Sequence, residues 1–173
     1  MDNKPKELYH GSAHRIEGPL RPVLLEQTPD HIHTKPAVFA TERLDLAALF
    51  MFPTDTLHSI GFEQDIAYIC IWGTREDAAQ NDRKGFIYIL PPETFEKIGK
   101  GYEWQSFVEV TPIELKSYEK SVPGMIECGV QVYFINNNAV FDKIVEDKTN
   151  RATILKNLIS ENQRLGLNIK IFK

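Results

Sequence analysis

The sequence predicts a single α+β domain over residues 1–173, in which strands outnumber helices. The 173 residues include 42% hydrophobic side chains, which is enough for one domain with a buried core. Short runs of branched and aromatic residues, bounded by glycine and proline, recur along the chain. Regular alternation of strands and helices, which a doubly wound parallel sheet requires, is missing, and this favours the α+β class.

The first half of the chain contains one predicted helix among three predicted strands. The strands are residues 6–10, 37–40 and 66–72. A helix over residues 42–50 is indicated by its helical spacing of apolar side chains, at 44, 47, 48 and 50. Thr41 is a suitable N-cap for this helix, and Pro53 ends it.

The second half follows the same pattern. Strands are predicted at residues 86–90, at one or two places within 103–119 on either side of Pro112, and at 130–135 and 167–172. Helices are predicted at 93–98 and 150–165, a polar excursion at 73–85 and a turn at 136–138.

Charge and composition exclude several classes of protein. The net charge of −4 and the lack of a long Lys/Arg run argue against non-specific nucleic-acid binding. The fold could still gather Arg15, Arg21, Lys35 and Arg43 into a local basic patch. The N-terminal residues have no apolar signal segment, and no apolar stretch approaches the ~20 residues of a membrane span. Cys70 and Cys128 are expected to be free thiols of a cytoplasmic protein.

Residues 8–12, LYHGS, are the segment most suggestive of a site. His10, Gly11 and Ser12 place an imidazole, an unobstructed backbone and a hydroxyl within three residues. A glycine at a strand end lets another group approach the main chain closely. A structural role for His10 at the end of a strand is the alternative interpretation.

The LYHGS segment resembles the first motif of the ADP-ribosyltransferase fold, in its His-containing branch. The second motif of that branch is similar to Ala37-Val-Phe-Ala-Thr41 with the Ala-rich helix that follows, and Phe39 lies 29 residues after His10. The likeness is strongest to the small rifamycin ADP-ribosyltransferases, and it extends to residues 86–90 and to the tail, 158–171.

This resemblance implies a split antiparallel sheet with a central cleft that binds NAD as a substrate. His10, Gly11, Ser12 and Thr41 would hold the cofactor, and Phe39 would stack on nicotinamide. The family usually has Tyr at this position, and Val38 is the matching residue if the register slips by one.

A carboxylate would stabilise the positive ribose as nicotinamide leaves. Glu103 is the first candidate, followed by Glu109 and Glu93. His10 and Glu103 would then be the catalytic pair.

The implied reaction is transfer of ADP-ribose from NAD to an unidentified acceptor, a small molecule or a protein, with release of nicotinamide. Two alternatives remain: a non-catalytic module of the same fold that binds a nucleotide or a protein, and an RNA 2′-phosphotransferase. The latter needs several arginines for phosphate, and the acidic net charge argues against it. His31 and His33 are expected to be solvated loop residues, so no metal site is predicted.

Overall fold

The computed structural model describes residues 4–24, 35–53, 58–63, 65–147, 150 and 153–157. The strands of this part are β1 (Leu8–Ser12), β2 (Val38–Thr41), β3 (His58–Glu63), β4 (Ile66–Trp72), β5 (Gly85–Leu90), β6 (Glu96–Lys97), β7 (Glu103–Ser106), β8 (Glu114–Tyr118) and β9 (Gln131–Ile135). The helices are α1 (Leu44–Ala48), which tightens into a 3₁₀ turn at Leu49–Met51, α2 (Arg75–Asn81), α3 (Ser121–Glu127) and α4 (Asn138–Glu146). Residues 153–157 are also helical.

The strands form two sheets. Six of them build an antiparallel sheet in the order β6-β7-β2-β1-β5-β8. The other three form a mixed sheet in the order β3-β4-β9, in which β4 and β9 run parallel. The α+β class predicted from the sequence is therefore confirmed. In the described segments, no helix is both long and apolar enough to cross a membrane.

Strand β1 lies near the middle of the large sheet and separates two apolar clusters. Side chains alternate between the faces of a strand. Tyr9 packs on the cluster that contains α1 and the second sheet. Leu8 belongs to the other cluster, together with Tyr88, the strand partner of His10. The two faces of β1 are thus buried against different parts of the molecule.

Helix α1 packs directly on β1 because Gly11 has no side chain. A Cβ built at Gly11 would lie 1.7 Å from the carbonyl oxygen of Ala47. Ala47 and Ala48 are both buried in the core. The small residues on both elements allow the helix backbone to approach the strand to within contact distance.

Arg43 ties the start of α1 to the β3–β4 turn. Its guanidinium donates to both carboxylate oxygens of Asp45, at 3.0 and 2.7 Å, and to the backbone oxygen of Asp65 at 2.9 Å. It also lies 4.8 and 5.2 Å from the ring centroids of Phe62 and Tyr102, which contact each other edge to face. Arg43 thus combines a two-bond contact with one carboxylate and contacts with two aromatic rings, a geometry that suits a planar guanidinium better than the point charge of lysine.

Asp82 holds the first turn of α3. This carboxylate is 7% exposed and accepts from the backbone N–H of Ser121 at 2.8 Å, from its hydroxyl at 2.6 Å and from the N–H of Val122. The amides at a helix start need such acceptors. Asp82 therefore acts as a cap supplied from another part of the chain.

Several sequence-based boundaries differ from the structure. Residues 93–98 are not a helix: Phe95 closes a turn onto Pro92, and Glu96–Lys97 pairs with β7 as strand β6. The polar excursion contains α2, and α4 begins within the predicted turn at 136–138. Thr41 is not the N-cap of α1, since that position is Arg43. The predicted strand at 167–172 and most of the helix at 150–165 lie outside the described residues.

Candidate functional site

His10 is held in one tautomer by a hydrogen bond across the strands. Its Nδ1 lies 2.7 Å from the carbonyl oxygen of Phe39. A carbonyl oxygen only accepts, so Nδ1 carries the proton of the neutral ring, and Nε2 is then an acceptor. Burial lowers the pKa of His10, and the bond to the Phe39 carbonyl opposes that change. We therefore expect a neutral imidazole with a fixed orientation near pH 7.

Strands β1 and β2 pair at only one position, Tyr9 with Thr41. By contrast, β1 pairs with β5 along its whole length, from Leu8 to Ser12. We call the region beyond the register pair of Tyr9 and Thr41, where Gly11 and Phe39 lie opposite each other, the β1–β2 gap. The His10 side chain reaches the Phe39 carbonyl at this gap and takes the place of a ladder bond.

The backbone of Gly11 points into the β1–β2 gap. Glu42 donates to the carbonyl of Tyr102 on the far side of β2, so by alternation Thr41 and Phe39 turn their backbone groups toward β1. Tyr9 and Gly11 turn theirs toward β2 by the same alternation. The described pairing of β1 with β2 is at Tyr9 and Thr41, and Gly11 lies two residues beyond it on β1. Gly11 therefore turns one backbone donor and one acceptor toward the β1–β2 gap.

The structure brings Phe39, Thr41 and Glu103 to one face of the large sheet. Thr41 on β2 is the register partner of Glu103 on β7, and Phe39 is the partner of Gln105, two residues further along β7. Register partners share a face, so the three side chains are neighbours on the α1 side. Glu103 is exposed and Phe39 is half-buried.

His10 lies on the opposite face from these three side chains. On that face its neighbours in the large sheet include Val38 and Ala40, both buried in the apolar cluster that contains Leu8. Val38, the alternative match for the family's aromatic position, is thus on the His10 face. Phe39 contacts the His10 ring through its backbone carbonyl.

The two hydroxyls in the predicted site make local bonds. Ser12 Oγ donates to the carbonyl of His14 at 2.7 Å and accepts from its N–H at 3.1 Å. Thr41 Oγ1 accepts from the N–H of Arg43 at 3.2 Å. Both therefore stabilise the turns that follow their strands, and each keeps capacity for a further bond.

The two alternative carboxylates, Glu109 and Glu93, lie outside the register pairs of β2 and β7. Glu109 forms an exposed ion pair with Arg21 at 3.1 Å. Glu93 lies in the turn before β6, where its backbone oxygen accepts from Lys4 at 2.9 Å. Of the three candidates, only Glu103 stands beside Thr41 and Phe39 in the sheet.

Phe50 is a residue of this site that the sequence pattern did not reveal. A Cβ built at Gly11 would lie 3.3 Å from the Cβ of Phe50, so the two residues are neighbours. The helical spacing predicted Phe50 on the buried face of the helix, but its side chain is 57% exposed. The 3₁₀ turn at Leu49–Met51 rotates it out of the apolar face.

Trp104 is another polar ring on the His10 face, besides Tyr88. Trp104 is 4% exposed, and among the described residues its Nε1–H has no hydrogen-bond acceptor. Ala40 is its register partner and lies between Trp104 and β1. A buried indole N–H normally finds an acceptor, so this donor is an unusual feature of the cluster.

Three of the four cations of the possible basic patch pair with separate carboxylates. Arg15 pairs with Glu17 at 2.9 Å, Arg21 pairs with Glu109, and Arg43 pairs with Asp45 at 2.7 Å. No group of three metal-binding side chains is found in the described ranges, and His31 and His33 lie outside them. Cys70 and Cys128 are buried and are not joined in a disulfide.

Comparison with known proteins adds no assignment. The chain matches no family model, and it has no significant match to a curated protein sequence or to a solved structure. The site must therefore be interpreted from its own residues.

Proposed function

We propose that the chain binds NAD in the β1–β2 gap and transfers ADP-ribose from it to an acceptor, with release of nicotinamide. The observation that carries the proposal is the backbone of Gly11, which turns a donor and an acceptor toward β2 beyond the register pair of Tyr9 and Thr41. The carboxamide of nicotinamide needs one donor and one acceptor in this arrangement. The resemblance of the LYHGS segment implies the same contact.

Aromatic side chains beside the gap suit the ring of nicotinamide. Phe39 and Phe50 both lie on the face of the large sheet that packs against α1, the face on which a Gly11 side chain would stand. Flat apolar rings bind an aromatic ligand by offset stacking. The hydroxyl of the usual tyrosine is absent, and stacking does not require it.

His10 is suited to the adjacent ribose. With Nδ1–H held by the Phe39 carbonyl, Nε2 accepts a hydrogen bond from a hydroxyl. His10 and Phe39 lie on opposite faces, and a ligand that enters the gap, instead of lying on one face, can contact both. The sheet would have to bind the ligand between its strands.

Glu103 is the proposed stabiliser of the reaction. When the bond between ribose C1′ and the nicotinamide nitrogen breaks, its electron pair leaves with nicotinamide, and positive charge develops on the ribose. A carboxylate beside Thr41 would stabilise this charge, and it would take the proton that the acceptor loses on attack.

The test measures nicotinamide release from NAD by the full chain. We expect Glu103→Gln to lower kcat by about 100-fold or more, with little change in KM. Glu119→Gln, at an exposed acid paired with Lys84, is the matched control and should keep full activity. His10→Asn keeps a donor for the Phe39 carbonyl but lacks Nε2, so it should raise KM.

The wild-type result decides whether the proposal stands. If NAD at millimolar concentration neither binds nor releases nicotinamide, the proposal fails. If NAD binds without turnover, the second candidate, a non-catalytic nucleotide-binding module, is correct. The position of Glu103 on the face opposite to His10 favours that second function.

A further inference from the structure

Strand β8 ends the large sheet, and no other strand of the described residues pairs with its outer edge. Four of its five residues are exposed, whereas all six residues of the adjacent β5 are buried. Among the described strands, β5 is its one neighbour. An edge strand has a row of outward N–H and C=O groups that can pair with another strand.

The side chains of β8 are complementary to themselves in an antiparallel pair. We propose that β8 pairs with β8 of a second copy of this chain, with Leu115 on the two-fold axis. Glu114 of each copy then lies opposite Lys116 of the other, and two opposite-charge pairs form across the interface. A symmetric pair of this kind uses the same strand in both copies.

Charge selects this register over its neighbours. In a symmetric antiparallel pair the two-fold axis passes through one residue of the strand. The nearest alternative registers therefore have the axis at Glu114 or at Lys116. An axis at Lys116 places the two lysines opposite each other, and an axis at Glu114 does the same with the two glutamates. Like charges directly opposite are unfavourable, so the axis at Leu115 is preferred.

Apolar residues support the same axis. Leu115 is 37% exposed, and Ile113, just before the strand, is 65% exposed. With Leu115 on the axis, the two leucines meet on one face while the charge pairs form on the other. A single strand pair buries a small area, so we expect a weak dimer that depends on concentration.

The test is sedimentation of the full chain over a concentration series up to about 1 mM. The wild type should dimerise. Glu114→Lys and Lys116→Glu should each weaken the dimer by about tenfold or more, because each replaces two attractive pairs by two repulsive ones. The double variant with both changes restores opposite charges and should dimerise like the wild type. Lys100→Glu, at an exposed turn lysine, is the control and should change little.

Two results would overturn the proposal. One is a wild type that stays monomeric through the whole series, as it would if another segment of the chain covered β8. The other is a dimer that survives both single variants, which would mean that it forms through a different surface. Rescue by the double variant is the result that requires this register.

Discussion

Replacing Gly11 by alanine tests the close approach of α1 to β1. The new Cβ would lie 1.7 Å from the Ala47 carbonyl oxygen. That oxygen must retreat by about 1.5 Å before the contact becomes ordinary. It belongs to a helix backbone whose Ala47 and Ala48 are buried, so the movement also opens the core. We expect Gly11→Ala to lower the free energy of unfolding by about 3 kcal/mol.

Urea denaturation followed by circular dichroism measures this effect. With a slope of about 2 kcal/mol per molar urea, the midpoint should fall by about 1.5 M. Gly101→Ala is the matched control, since a Cβ there meets nothing within 4 Å. It should leave the stability unchanged or raise it by about 0.5 kcal/mol. A Gly11→Ala variant within about 0.5 kcal/mol of the wild type would refute the packing argument.

Three further predictions concern other parts of the molecule. The pKa of His10 is lowered in the folded state, so stability should be greatest above the ordinary pKa of 6.5 and fall as the pH drops below it. His10→Asn should be less sensitive to acid when urea midpoints at pH 8 and pH 5 are compared, and an equal fall in both proteins would contradict this. Asp82→Ala leaves the donors of buried Ser121 without an acceptor and should cost about 3 kcal/mol in urea denaturation, while Asp82→Asn costs less. Arg43→Lys loses the two-bond contact with Asp45 and should lower the free energy of unfolding by about 1 kcal/mol, which a lower thermal midpoint would show. An unchanged midpoint would show that the ion pair contributes nothing to stability.

The buried strands were predictable because their signal is local. Residues 66–72 form a strand with the predicted bounds, and the break near Pro112 separates β7 from β8 as expected. A strand buried on both faces is an apolar run that needs no knowledge of its partners. Strand order and pairing depend on distant segments, and the sequence pattern alone did not reveal them.

The helices were harder to predict. Helix α2 is polar, and its signal was the pair of Thr74 and Asp77, which forms a capping box. Helix α3 contains Pro123 and Gly124, and its first turn is held by a carboxylate 39 residues earlier. A short helix stabilised from elsewhere in the fold carries little signal in its own residues.

The candidate site was predictable only as a set of neighbouring strands. The order of motifs placed His10 near the second strand, and the bond to the Phe39 carbonyl agrees with that. Which face each side chain occupies depends on register, and one step along a strand reverses the face. The sequence could not decide between Val38 and Phe39 for this reason.

The single pairing of β1 with β2 has a mechanical consequence. It divides the large sheet into two three-stranded halves, β6-β7-β2 and β1-β5-β8, joined at Tyr9 and Thr41 and by the His10 imidazole. The two halves also share the buried apolar cluster of Leu8, Val38 and Ala40, so the junction is packed but has fewer backbone pairs than β1 has with β5. We expect backbone amides at the junction to exchange with deuterium sooner than those between β1 and β5, and a bound ligand to slow that exchange.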